Sequence, residues 1–495
     1  MKRLFLPAIL LILPVICLAQ SFGFEDADED NSGFPFTLDI GGKVEAGLTL
    51  FFHDFKSKKN NEYVSIPDLA KAYASFDINS KYVQVFTAFN LSSRSLEELV
   101  NGELKSEYSP LIIDEMWVRG YLNRFSIQAG YVKLRWGRMY SPGPLDIVNP
   151  LDYSDLTNLT DSRAMKIARP MLRASYRAGN FSQIEAVFLP NFAPARFDQS
   201  GRWAPGEYSN MTSVFSQGVM NRALEKYSQY TSQILMLFPY ASAGFSSFSP
   251  EFPSTSNIDY FQTGLRFNTV IGPSDLGFQY FYGNYMRPSV SLNGVDNFID
   301  DLMIKNYPPS MPPYTGNPNL LSVHIEYSRY HQFGVDYSQV LFGFTVRAEA
   351  AVHITSDLSG SDGNVKNPFL AWSLGFDRDI FTGVNFNVQC NETIRLFNSK
   401  VGDNPALDSE AGTDVTSTRL ILQVSKNFFR DRLECKFVNI CDIEDKGLVL
   451  IPSIAWAVNN TRIEMSAGFF TGDEDSELGQ YRDNSYVKLK FVYSF

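Results

Sequence analysis

The chain has 495 residues and a formal net charge of −11, which removes the electrostatic case for nucleic-acid binding. Beyond its N-terminal segment it holds no run of about 18 apolar residues, so no membrane-spanning helix is expected. Aromatic residues still reach 14%, with 41 Phe and 25 Tyr, while the hydrophobic fraction is only 44%. Strands that alternate apolar and polar positions give that combination, in a lipid-facing barrel or in a large soluble β-structure.

In chain order, Met1-Lys2-Arg3 and the apolar Leu4 to Leu18 read as a signal peptide over 1–19, cleaved after Ala19. Lipoprotein processing at Cys17 is disfavoured by the bulky Val15-Ile16. An acidic periplasmic segment follows over 20–36. Asp28, Asp30, Ser32, Gly33 and Asp39 occupy places of a calcium loop, but the flanking helices are missing and a solvated tail is the better reading. The first strand places Ile40, Val44, Ala46, Leu48, Leu50 and Phe52 on one face and Asp39, Lys43, Glu45 and Thr49 on the other. The same alternation predicts strands near 69–78, 82–91, 111–122, 125–134, 167–178, 181–189, 257–271 and 275–287. Further strands are predicted near 321–338, 342–355, 368–378, 382–396, 415–428, 432–441, 447–458, 461–471 and 485–495. Short turns such as Asn79-Ser80, Gly179-Asn180 and Asn459-Asn460 alternate with long connections.

Two connections stand out. Within 190–256, Met220, Ala223, Leu224, Tyr227, Ile234, Leu235 and Phe238 have partial helical spacing, and a short helix there would cover or enter the mouth. Pro308, Pro309, Pro312, Pro313 and Pro318 predict a stiff, non-helical loop over 288–320. The final "YVKLKFVYSF" alternates up to Phe495, the pattern of an outer-membrane barrel and a signal to the barrel-assembly machinery. The expected fold is therefore all-β: a transmembrane antiparallel up-and-down barrel over 37–495, both ends periplasmic, with eighteen strands and sixteen as runner-up. Outer-membrane lipid is then a partner. Cys435 and Cys441 are six residues apart on one strand, roughly 20 Å, too far to bridge. Cys390 shares the apolar face of Val384, Phe386 and Val388 as a small hydrophobe.

No Gly-x-Ser-x-Gly, phosphate-cradling Gly-Lys-Ser/Thr or Cys-x-x-Cys occurs, and His53, His324, His331 and His353 have no metal-pair spacing. Neither catalysis nor a cofactor or metal is expected. His324 and His353, near Glu326 and Glu349 on predicted inward faces, read as lumen hydrogen-bonding groups. Arginine carries the stronger pattern. Arg169, Arg173 and Arg177 share one face of their strand, opposite Leu172 and Tyr176. The same parity turns Arg119, Arg266, Arg347, Arg395 and Arg419 inward, because a charge on the lipid face costs about 2–4 kcal/mol near the midplane. These residues, with Glu349, are the predicted pore lining. Two readings stay open: an arginine path for small anionic solutes, or arginines braced against Glu115, Asp336, Glu349 and Asp377.

The stretch "LRWGRMYSPGPLDIVNPLDYSDLTN" breaks the strand pattern. Pro142, Pro144 and Pro150 prevent it from extending the ladder, and Gly137 and Gly143 permit sharp turns. It reads as a constriction folded inward beside Arg169, with Arg138, Asp146, Asp152 and Tyr153 as polar contacts. "GYVKLRWGRMYSPGPLDIVNPLDYSD" and "HQFGVDYSQVLFGFTVRAEAAVH" resemble motifs of a porin-like outer-membrane family of largely unknown function, related to the alginate-export type of eighteen-stranded barrel. The motifs cover about a tenth of the chain. The resemblance implies a passive channel with an inward-folded loop and no active site; the 190–256 and 288–320 loops depart from it. Two other readings are a surface adhesin or receptor acting through those loops, and a barrel enzyme using His324 or His353.

Overall fold

A computed structural model describes residues 36–53, 64–65, 70–101, 108–198, 201–242, 252–306, 313–381 and 383–495. The expected signal peptide over 1–19, and residues 20–35 with the calcium-loop pattern at Asp28, lie outside the described residues. The chain forms a closed antiparallel sheet. Its first strands are β1 (Phe36–Phe51), β2 (Ala70–Ser80), β3 (Val83–Leu91), β4 (Ile113–Leu122), β5 (Phe125–Val132), β6 (Arg169–Ala178), β7 (Ser182–Leu189), β8 (Gln262–Ile271) and β9 (Ser274–Asn284). The ring continues through β10 (Arg329–Leu341), β11 (Phe344–Thr355), β12 (Phe369–Ile380), β13 (Val384–Arg395), β14 (Thr416–Phe428), β15 (Leu433–Asp442), β16 (Gly447–Val458), β17 (Thr461–Thr471) and β18 (Tyr486–Ser494). A nineteenth member, the two-residue Val64–Ser65, only lies along β1, so the barrel has eighteen strands and the sixteen-strand alternative falls.

Closure is made by β1, which pairs with β2 on one side and β18 on the other. Gly42 and Phe495 exchange both backbone hydrogen bonds at 2.9–3.0 Å, extending that seam to the last residue. Both chain ends of the barrel thus stand at the short-turn end, beside the Ser80 and Asn460 turns.

The predicted alternation decides which side of each strand is which. Leu172 on β6 is 48% exposed, and Leu265 on β8 lies equally open, while the neighbouring Arg266 is buried. Phe76, Val118, Phe333, Phe376, Ile454 and Phe491 continue this open apolar surface around the ring. Gln128, Glu185, Gln279, Gln332, Gln389 and Gln423 occupy the opposite parity and are buried. A closed ladder leaves no unpaired backbone edge, so an apolar exterior can meet hydrocarbon while the polar groups pair inside.

The eighteen predicted strands all recur, with differences at the long-loop end. Residues 258–260 form a 3-10 turn before β8, and the predicted 321–338 strand divides into Ser322–Glu326 and β10. The first piece pairs with Ser289–Asn293 in a ribbon separate from the barrel sheet. Helices α1 (Ser93–Asn101) and α2 (Ser162–Met165) are short; α3 (Gly206–Lys226) and α4 (Thr231–Ser242) replace the expected short helix. The non-helical reading of 288–320 is corrected by α5 (Val295–Lys305). Pro308, Pro309, Pro312, Pro313 and Pro318 all lie after it, and Val295, Phe298, Ile299, Leu302 and Met303 follow helical spacing, with Asp296 in its first turn and Lys305 in its last. That stripe packs on Val219, Ala223, Ile234 and Phe238 of α3 and α4.

Candidate functional site: the lumen and its inward segment

Residues 133–168 leave β5 and fold into the bore instead of extending outward. Asn149 pins the base of the segment. Its carboxamide accepts from Leu134 N at 2.7 Å and donates to the carbonyls of Val132 and Ile167 at 2.8 and 2.9 Å. Lys166 donates to Asp146 at 2.6 Å and to the Leu134 carbonyl at 2.8 Å. Burial pulls the Lys166 ammonium below its ordinary range and Asp146 opposes that shift.

From this base the segment crosses to the opposite wall. Trp136 Nε1 donates to Glu185 on β7 at 2.6 Å. Gln279 and Gln332 donate to the carbonyls of Leu145 and Pro144 at 3.1 and 2.8 Å. Gln389 on β13 accepts from Ser141 N and donates to Ser141 O, and Gln423 on β14 donates to Tyr140 Oη at 3.0 Å. Further along, Lys488 on β18 donates to Thr157 Oγ1 at 2.8 Å. Inward amide side chains thus supply the partners that prolines and irregular backbone cannot find among themselves.

Glu349 on β11 is the central grip. It is 3% exposed, and its carboxylate accepts from the backbone amides of Arg138, Met139 and Leu145. The close approach explains two glycines. A Cβ at Gly137, where φ is +84°, would lie 2.4 Å from Glu349 Oε1, and one at Gly143 would lie 2.5 Å from Oε2. Beside it, Asp336 has no exposed side-chain surface and is shared by Arg138 Nε and Arg266 Nη2, each at 2.5 Å. Asp336 thereby links the segment to the wall through two cations.

The arginines predicted as pore lining occupy different environments. Arg169 is 1% exposed and donates to Asn191 Oδ1 at 2.7 Å, at the root of the next loop. Arg173 bonds Glu185 and Gln128, Arg119 bonds Gln128 at 2.7 Å, and Arg347 pairs with Asp377. Arg395 donates to Asn398 Oδ1 and Thr413 at the long-loop end. Arg419 donates to Asp442 at 2.6 Å and Glu477 at 3.1 Å. Arg177 is exposed, with no side-chain partner among the described residues.

A second layer lies above the segment at the long-loop end. Arg196 donates to Asp152 at 3.0 Å, and Tyr153 stacks on Phe197 with centroids 5.0 Å apart. Trp203 then packs against Phe51, Phe470 and Tyr481 across the mouth. Arg287 and Arg419 hold the Glu477 carboxyl down at about 2. The predicted contacts Arg138 and Asp146 therefore belong to the bore, while Asp152 and Tyr153 join the layer above it. His324 sits on the separate ribbon, 3.4 Å from Glu326. His353 is sandwiched among Tyr330, Tyr285 and Phe369, with Nε2 2.9 Å from Gln332.

Two cavities open beneath the segment, toward the short turns. One, of about 470 Å³, is bordered by Arg135, Arg138, Arg177 and Arg266 with Asp275 as its acidic residue. The other, of about 810 Å³, adds Arg163, Arg347, Lys436, Arg462 and Lys490 against Asp161, Glu434 and Glu464. Sequence reasoning missed Arg135 and Lys436. Lys436 was accessible through strand parity, whereas Arg135 follows the end of β5, where alternation stops carrying information.

No protein-family description matches the chain, and no curated protein matches it. Among solved structures, a porin refined at 1.8 Å is 10% identical, with a TM-score of 0.38 over 93% of this chain and all of that one. Salmonella typhi OmpF in complex with daunomycin is 8% identical, with a TM-score of 0.37 over 92% of this chain and 97% of that one. In-vitro folded OmpT, an outer membrane protein of Vibrio cholerae, is 9% identical, with a TM-score of 0.38 over 93% and 98% of the two chains. Similarity at this level adds nothing to the strand pairing already described.

Proposed function

We propose that this chain is a porin-like channel of the bacterial outer membrane, passing small hydrophilic solutes with a preference for anions. Segment 133–168 acts as its constriction. The observation that carries the reading is the charge of the path: cations outnumber acids around both cavities, although the whole chain is at −11. Most of the arginines are paired with carboxylates, so the ladder does not act as a row of bare charges. The preference is instead assigned to cations that have no carboxylate partner among the described residues, Arg135, Arg177 and Lys436. Lipid around the apolar exterior and the barrel-assembly machinery, reading the β18 sequence, are the partners this reading requires. Kinship with the alginate-export type of barrel belongs to the same proposal, on the two motifs that resemble it.

In planar bilayers under a KCl gradient, the wild type should show an anion-selective reversal potential. Joint Arg135→Gln and Lys436→Gln replacement should move it toward neutrality. Cation selectivity that the double replacement leaves unchanged would sink the anion preference, and absence of conductance would sink the channel.

A second reading has its own observation. The α3–α5 cluster presents Leu235, Met236 and Ile304 to solvent at the long-loop end. A surface receptor or adhesin would use that apolar face. Polar replacement of these three side chains should then abolish partner binding and leave conductance untouched.

A further inference from the structure

The smaller cavity brings together guanidinium groups from three parts of the chain: Arg135 and Arg138 on the inward segment, Arg177 near the end of β6, and Arg266 on β8. Their anionic partners are fewer than their charges. Asp336 is used up between Arg138 Nε and Arg266 Nη2. Asp275 is 44% exposed and lies 3.8 Å from Arg138 Nη1, beyond hydrogen-bond distance. Glu349 spends its oxygens on backbone amides of the segment. Among the described residues Arg135 donates to the carbonyls of Met139 and Tyr140, which bring no charge. Arg177 has no side-chain partner among the described residues.

The neutral wall is equally specific. Gln183 and Asn268 face each other in register across β7 and β8, and both border the cavity. Asn268 keeps a buried carboxamide oxygen with no hydrogen-bond partner among the described residues, while the adjacent Ser182 and Thr269 hydroxyls satisfy each other at 2.9 Å. The four guanidiniums that line the cavity face one lining carboxylate, Asp275. The volume of about 470 Å³ is within the range of small-ligand sites.

We propose that this cavity is a binding site for a compact, doubly charged oxyanion, a phosphate or a small dicarboxylate, held chiefly by Arg177 and Arg135. Guanidinium forks match the paired oxygens of either group. A single negative charge would leave part of the local excess uncompensated, so a dianion is preferred over a monoanion. The site rests on the channel reading only for its consequence, a solute preference. Binding itself is measurable without conduction.

The test uses the purified full chain in detergent micelles at constant ionic strength, titrated calorimetrically with inorganic phosphate, succinate and acetate. Saturable binding of phosphate or succinate at least about tenfold tighter than acetate is expected, and Arg177→Gln should weaken it by about tenfold or more. Arg177 is exposed and has no side-chain partner among the described residues, so the variant should keep the wild-type circular dichroism. Saturation by phosphate alone identifies a tetrahedral oxyanion, by succinate alone a dicarboxylate, and by both a site that reads charge. Failure of both dianions to saturate, acetate binding as tightly, or unchanged binding by Arg177→Gln overturns the proposal. A barrel that binds dianions yet passes no current refutes the channel reading and leaves this site standing.

Discussion

Replacing Glu349 by Ala removes the carboxylate that holds the middle of the inward segment. The amides of Arg138, Met139 and Leu145 lose their acceptor together. An unsatisfied buried donor costs about 1–3 kcal/mol, and water entering from the lumen favours the lower end, so about 3 kcal/mol of anchoring is lost. That corresponds to a shift of about a hundredfold in the local opening equilibrium. Asn149 at the base, Trp136 on Glu185 and Gln389 on Ser141 remain, so the segment should loosen between 137 and 145 without leaving the barrel. Single-channel recording should show new, larger sublevels and more open-state noise, while the barrel keeps its heat resistance on gel electrophoresis. Shortening the segment between 139 and 147 should raise conductance further. Wild-type conductance and noise in Glu349→Ala would refute both the grip and the constriction.

The remaining predictions concern the two ends of the barrel. Glu477 titrates at about 2 because of Arg287 and Arg419, so its folded value lies below its unfolded one. Its stabilising contribution is fully present above the ordinary carboxylate range and disappears as pH falls through about 2; partial exposure keeps it modest. Acid titration of tryptophan fluorescence near Trp203 should therefore be shallower in Glu477→Gln than in wild type between about pH 4.5 and 2, and identical curves would count against the Arg287–Glu477–Arg419 bridge. At the short-turn end, Phe342 is 96% exposed with φ at +52°, followed by Gly343 at +79°. Asparagine suits that position better, so Phe342→Asn should raise stability in micelles by about 0.5 kcal/mol in urea unfolding, and a loss would show that the ring has a partner.

What could be read from the chain and what could not follows the range of the interactions. Arg173, Arg266 and Arg347 lie inward as parity requires, because side-chain direction in a strand depends only on counting by two. Their neutralisation by Glu185, Asp336 and Asp377 depends on register between strands, which alternation alone leaves open. Gly137, Gly143 and the prolines marked 133–168 as irregular. Neither its crossing to Gln389 and Gln423 nor the grip of Glu349 is written in local spacing, since those partners lie some 200 residues away or more. For α5 the helical spacing of Val295, Phe298, Ile299, Leu302 and Met303 is local, and the prolines at 308–318 act only after the helix has ended.

By itself, the sequence determined the repeating strand, its inner and outer faces and the number of passes, because these follow from a two-residue period and the cost of charge in hydrocarbon. The tertiary structure alone decided which charges cancel and which stay available. That depends on closing the ring, which brings Arg135 and Arg138 from one segment beside Arg177 and Arg266 from the wall, where Asp336 is shared by two of them and Asp275 lines the same cavity.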